Sequence, residues 1–492
     1  MFESAELGHK IDKKTYDQEV PGLREALLNT QLELAKTAGF PVIILAGGVD
    51  GAGKGETVNL LNEWMDPRHI QTHAMGELTQ EERERPPMWR FWRALPPKGK
   101  IGIFFGSWYT DPIVNRVTGK SKKAALYQSI DEINRFEKML TDEGALILKF
   151  WFHLSKKAQK KRLKALEKDP QTRWRVADTD WERFKIYEKF RKWSEHTLIE
   201  TSTEVAPWIV VEGVDPRYRN LTVGKILLES MRKHLDRKET EVSAVADATP
   251  PPVDNLNVLR SLDLSLDIAK PVYKKDLEKY QGRLNQLTRH PKFKKKIALL
   301  VAYEGSDAGG KGGNIRRVTA AMDARQYSII PIAAPTVEEL AQPYLWRFWR
   351  HIPRKGMVTI FDRTWYGRVL VERVEGYCSE ANWMRSYSEI NDFEEQLVRN
   401  NILIAKFWLA ISNKEQLRRF KEREKIGFKR FKLTEDDWRN REKRDDYDRA
   451  VCDMVDRTST DIAPWTIVES DSKYYARIKV LKTLCKTIEA AL

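Results

Sequence analysis

The sequence predicts two tandem α/β domains of P-loop type, each a parallel sheet flanked by helices, and three observations support this. The chain repeats itself: Trp89-Arg-Phe-Trp-Arg93 returns as Trp346-Arg-Phe-Trp-Arg350, and Ala206-Pro-Trp208 as Ala463-Pro-Trp465, both pairs 257 residues apart (346 minus 89; 463 minus 206). A glycine-rich loop recurs at the same offset, Gly48-Val-Asp-Gly-Ala-Gly-Lys-Gly55 against Gly305-Ser-Asp-Ala-Gly-Gly-Lys-Gly312. Short apolar runs alternate with charged helical stretches in each copy, the pattern of a doubly wound sheet.

The elements follow in order. Apolar residues at helical spacing over 23–38 and 277–287 predict a helix opening each copy. The runs 42–46 and 297–301 end in the glycine loops, as buried parallel strands do. Three more strands per copy are predicted: 101–105 with 358–361, 145–150 with 402–407, and 208–211 with 465–468. Charged helical stretches such as 130–140 and 390–398 lie between them. The two aromatic Trp-Arg-Phe-Trp-Arg blocks are expected to pack a helix on the sheet, and 201–203 and 458–460 to be helix ends or turns before the last strand. Basic stretches at 421–432 and 438–449 fit either a solvated face or a helical lid that closes over phosphates. A stretch ending in three prolines marks a linker, so the expected domains are 1–236 and 258–492 with 237–257 between them.

Composition narrows the function. With 86 Lys+Arg against 71 Asp+Glu, the net charge of +15 points to a polyanionic partner. Cys378, Cys452 and Cys485 fit no zinc or redox spacing, and an odd count argues against a disulfide framework. The acidic N-terminus predicts no signal peptide, and no apolar run approaches the ~20 residues of a membrane helix. A cytoplasmic protein with no membrane partner is expected.

Chemistry concentrates in the second copy. A strand leading into Gly305, Gly310 and Lys311, followed by a helix, arranges backbone N–H groups, a helix dipole and an ammonium around an anion. Gly312 stands where such loops usually carry a Ser or Thr for Mg²⁺, so the metal needs other oxygens. Asp307 in the loop and Asp362 at a strand C-terminus are the candidates. Subtracting 257 from Asp362, Arg363, Arg368 and Glu372 gives Phe105, Gly106, Asp111 and Asn115, whereas Trp365 and Tyr366 meet Trp108 and Tyr109. The first copy kept the aromatics and lost the charges, which marks those four residues for chemistry.

Gly305-x-Asp307-x-x-Gly-Lys311-Gly, Trp346-Arg-Phe-Trp, Phe361-Asp-Arg-x-Trp-Tyr-x-Arg368-x-x-x-Glu372-Arg-Val and Thr458-Ser-Thr-x-x-Ala-Pro-Trp465 together resemble the polyphosphate kinase 2 family, and the first copy resembles it with the gaps just noted. The resemblance implies a thymidylate-kinase-like fold with a mobile lid, and phosphoryl transfer between inorganic polyphosphate and nucleotides with Mg²⁺. For two fused repeats it implies AMP as acceptor and ADP as product. It carries functional roles onto Asp307, Lys311, Asp362, Arg363, Arg368 and Glu372, and a homo-oligomer is expected. The alternatives are a polyphosphate kinase acting on ADP or GDP, a nucleic-acid-binding P-loop ATPase, and a non-catalytic polyphosphate-binding scaffold. Nucleic acid is not the expected partner, since both loops lack the Ser or Thr of that ATPase class.

Overall fold

A computed structural model of the chain describes residues 1–237, 258–427 and 435–492. Residues 238–257 of the expected linker at 237–257, and 428–434 in the region of the expected lid, lie outside the described residues. The described residues form two compact units. The first comprises Met1–Glu77, the residues from Arg90 to 237, and Pro335–Trp346; the second comprises Leu78–Trp89, the residues from 258 to Ala334, and Arg347–Leu492. Inside the second unit Arg85 donates to the Ile352 carbonyl at 3.0 Å, and inside the first Gln342 donates to the Leu95 carbonyl at 3.1 Å. These are equivalent positions at the 257 offset.

Each unit holds one five-stranded, all-parallel sheet. In the first, β1 (Val42–Gly48), β2 (Ile70–Ala74), β3 (Ile101–Phe105), β4 (Leu146–His153) and β5 (Trp208–Glu212) run in the order β2-β3-β1-β4-β5. In the second, β6 (Ala298–Gly305), β7 (Tyr327–Pro331), β8 (Val358–Asp362), β9 (Ile402–Ala410) and β10 (Trp465–Glu469) run β7-β8-β6-β9-β10, the same topology. The four strands expected per copy are present. β2 and β7, each at one edge, were not legible in the sequence because their residues are mostly exposed or half-buried rather than an apolar run, whereas β5 and β10 at the opposite edges are better covered. The central strands β1 and β6 are covered on both faces, which is why they read as continuous apolar runs.

The opening helices are present as Lys13–Thr37 and Lys270–Arg289, and each packs on the closing helix of its unit, Pro216–Leu235 and Lys473–Ala491. The aromatic blocks serve the core as expected: Trp92 packs on Phe136 at 5.4 Å between centroids and Trp349 on Phe393 at 5.2 Å. Their second residues, Arg90 and Arg347, donate to the carbonyls of Gly76 and Ala333.

The retained aromatics do more than fill space. Trp108, Tyr109 and Lys149 converge on the Glu137 carboxylate, and Trp365, Tyr366 and Lys406 converge in the same way on Glu394, with each Lys–Glu pair 2.7 Å apart and almost fully buried. Each lysine also donates to the carbonyl of the threonine that ends a helix, Thr201 or Thr458. A buried pair is tolerable only when its remaining donors and acceptors are met. Its presence in both copies identifies it as part of the scaffold.

Candidate phosphate-binding site

β6 delivers the second glycine loop at the centre of the sheet, the place where an open parallel sheet builds its site. Gly305 has φ +148°, and a Cβ there would lie 2.6 Å from the Leu409 carbonyl, so glycine is required where the chain leaves the strand. Gly310 caps the Lys311–Thr319 helix in the left-handed region, and Gly312 lies in its first turn. Lys311 Nζ donates to the Gly305 carbonyl at 2.7 Å, folding the ammonium back over the loop. Arg419 braces the loop from behind, donating to Ala308, Ser470 and Asp471 carbonyls, and Ser470 Oγ donates to the Gly309 carbonyl.

The expected residues fall into two groups. Asp307 lies 3.5 Å from the Arg363 guanidinium. Asp362 ends β8 in register with Tyr303 of β6, two residues before Gly305. Burial, with the Asp362 charge added, pushes the Tyr303 phenol well above its ordinary range. Arg368 and Glu372 form a second pair, 3.0 Å apart, on the short helical segments that follow.

Arg363 adopts φ +66°, a left-handed conformation that costs a non-glycine residue roughly 1–2 kcal/mol. Gly106 occupies the equivalent position at φ +82°, so the first copy keeps the same bend without strain and without the guanidinium. Strain held at one residue of a site is a mark of function.

Two residues were missed. Glu304, immediately before the loop, is 6 % exposed and its Oε1 accepts from both the backbone N–H (2.7 Å) and hydroxyl (2.9 Å) of Thr364. It ties the loop strand to the Asp362-Arg363-Thr364 turn. Burial raises its carboxyl pKa, with the Lys311 cation the chief opposing influence. The 257 offset sets it against Gly47, the signal that marks Asp362. The other is Asn440, on the Glu435–Glu442 helix within the expected lid: its amide donates to Asp307 Oδ2 at 2.8 Å, and its own oxygen accepts from Tyr447 at 3.2 Å. Glu375, in turn, accepts from Lys443 (2.9 Å) and Tyr447 (3.4 Å).

The first loop repeats the glycine positions and is braced by a different arginine. Arg219, 2 % exposed, lays its guanidinium against Gly53 and donates to Thr57 Oγ1 (2.9 Å), Glu56 (2.9 Å) and the Ala52 carbonyl (3.4 Å). Glu56 also receives Arg162 and Arg175. The offset sets Arg219 against Ala476 and Glu56 against Gly313, so the second loop has neither. Asp50 meets Arg183 at 3.7 Å, where Asp307 meets Asn440.

Residues 10–239 and 267–492 each match the family model described as polyphosphate kinase 2. The chain belongs to the polyphosphate kinase 2 family. Its relatives include a Pseudomonas aeruginosa protein named polyphosphate:AMP phosphotransferase, 58% identical over 100% of this chain and 99% of its own length. An Acinetobacter johnsonii protein of that name is 37% identical over 94% of each chain. A Mycobacterium tuberculosis GDP-polyphosphate phosphotransferase is 37% identical over 46% of this chain and 76% of its own length. A crystal structure described as polyphosphate kinase 2 from Pseudomonas aeruginosa superimposes with a TM-score of 0.90 at 56% identity, covering 100% of this chain and 99% of that one. The α/β architecture of two tandem units is thus that of a polyphosphate kinase 2.

Proposed function

We propose that this polyphosphate kinase 2 is a polyphosphate:AMP phosphotransferase, moving a terminal phosphoryl group of inorganic polyphosphate onto AMP to give ADP. One observation carries the choice of acceptor. The relatives that match both repeats from end to end are named for AMP, whereas the GDP-named relative aligns with under half of the chain. We place the working repeat at 258–492 and the degenerate one at 1–236, with 237–257 joining them.

In this reading the loop N–H groups and Lys311 bind the phosphates of the donor, and Arg363, held in its strained bend by Glu304 through Thr364, faces the transferred group. Asp307 is held between Arg363 and Asn440. Arg368 and Glu372 form a paired wall beyond the turn. The attacking AMP oxygen is already anionic, so no strong general base is needed and catalysis rests on positioning and charge.

The donor set fits Mg²⁺. Asp307 lies in the loop and Asp362 ends the neighbouring strand β8, and magnesium takes few protein oxygens when substrate phosphates supply the rest. When bound, the ion would neutralise charge on the transferring phosphates. Among the described residues no helix is long and apolar enough to cross a membrane. The three cysteines are free thiols, which supports a reducing, cytoplasmic setting. We further propose that the protein works as a homo-oligomer.

The test is a panel of AMP, ADP, GMP and GDP with polyphosphate and Mg²⁺. ADP formation from AMP is expected; ATP or GTP formation with AMP unused would move the assignment to the diphosphate-kinase reading.

A further inference from the structure

One helix of the first repeat carries a more one-sided charge than its equivalent in the second. The Lys156–Lys168 helix has seven basic residues and one acidic, net +6, while the equivalent Asn413–Lys425 helix has six basic and three acidic, net +3. In the second copy the acids are engaged: Glu415 pairs with Arg418 and Arg419, and Glu422 with Arg418. In the first copy the offset puts Ala158 and Ala165 at the positions of Glu415 and Glu422.

Lys157, Lys161, Lys164 and Lys168 recur at spacings of four, three and four, so they line up along one side of the helix, with Lys160 beside them. All five are exposed, on the side opposite the buried Gln159 and Leu163. Among the described residues none has a carboxylate partner within ion-pair distance. The lysines at 156/160, 157/161, 160/164 and 164/168 are like-charge pairs at i,i+4, an arrangement that destabilises a helix unless an anion covers it. A merely solvated face mixes the two signs of charge, as the second copy does. The 3₁₀ turn Arg173–Arg175 extends the basic surface and presents Trp174, which is 75% exposed and held by its indole N–H to the Gln171 carbonyl.

This helix lies beside the first glycine loop, with Gln159 donating to the Asp50 carbonyl and Arg162 pairing with Glu56. The lysines themselves face away from the loop, on the exposed side of the helix.

We infer that the lysine stripe of the Lys156–Lys168 helix is a holding site for inorganic polyphosphate, bound through its charge with no bond made or broken. This rests on polyphosphate being the donor. The stripe raises the local concentration of long chains, as a single-sign field does for any charged substrate.

The test uses the full chain carrying Lys157→Glu, Lys161→Glu and Lys164→Glu together, and a second variant with glutamine at the same three positions. Both are assayed with long-chain polyphosphate and with tripolyphosphate over a range of salt. The expected result is a KM for long-chain polyphosphate raised roughly tenfold by reversal and less by neutralisation, with kcat unchanged. The tripolyphosphate KM stays the same, and binding of labelled long-chain polyphosphate loses part of its salt dependence. Unchanged long-chain KM and salt dependence in both variants, at unchanged thermal midpoints, would overturn the inference. So would loss of single-stranded RNA binding with polyphosphate kinetics unaltered, which would make the stripe a nucleic-acid surface. If the reversed protein is unfolded, the glutamine variant decides. Failure of the unmodified enzyme to form ADP from any donor refutes the functional reading instead.

Discussion

The two glycine loops share a backbone and differ in the side chains around them. In the second, Gly313 and Ala476 carry no charge, Lys311 folds back on the Gly305 carbonyl, and Asp307 lies beside Arg363. In the first, Glu56 and Arg219 stand at those positions, and Arg219 braces the loop by donating to the Ala52 carbonyl while pairing with Glu56. The Glu56 carboxylate gathers three guanidinium groups, Arg162, Arg175 and Arg219, beside the loop. The difference teaches that one loop backbone can be kept while the side chains that brace it and the charges around it change.

The largest effect expected from this contrast is catalytic. Lys311→Ala and Asp362→Ala should each lower ADP formation by roughly a thousandfold, as loss of a group facing the transition-state charge does. Lys54→Ala should leave activity within about twofold, as a change at an independent site does. Turnover measured on the three variants checks this, and a large loss in Lys54→Ala with the fold intact would break the comparison.

Arg363→Gly copies the first repeat at its strained bend. Activity should fall by roughly a hundredfold, while stability rises by up to about 1 kcal/mol as the left-handed strain is relieved. Paired kinetics and denaturant unfolding test it; a clear loss of stability would show that Arg363 supports the fold.

Arg219→Ala probes the other side. It should cost about 1–2 kcal/mol of stability with kcat unchanged, short of the full loss of a buried pair, because Glu56 is partly exposed and keeps Arg162 and Arg175. Differential scanning calorimetry with a parallel assay reads both quantities.

The smallest effect concerns pH. Burial raises the Glu304 carboxyl above its ordinary value of 4.5, so the folded protein holds that proton more tightly than the unfolded chain. The unfavourable contribution is therefore absent below about 4.5 and grows as pH rises through the folded pKa. Glu304→Gln should match the wild type in acid and be the more stable protein above that window. Thermal midpoints across pH measure it, and an equal shift at every pH would refute the assignment to ionisation.

Much of the fold was legible because buried parallel strands must be continuously apolar and phosphate loops need glycines at fixed places. β1 and β6, their loops and the helices that open each unit all follow from that. The edge strands β2 and β7 did not, since half-solvated residues leave no apolar signature. In the candidate site, Asp362 and Arg363 stood out because equivalent positions in the first copy lack their charges. Glu304 carried the same signal one residue before the loop. Asn440 carried little, for its amide is one of many polar side chains on a charged helix.

The sequence by itself determined the repeat, the family and the asymmetry of charge, since each is written in the order and spacing of residues. Only the tertiary structure decided which polar groups meet. The Asn440 amide reaches Asp307 across 133 residues, and Arg219 reaches Glu56 across 163. Periodicity encodes which face of an element is buried; the partner of a polar side chain depends on where distant elements come to rest, and that is set by packing of the whole unit.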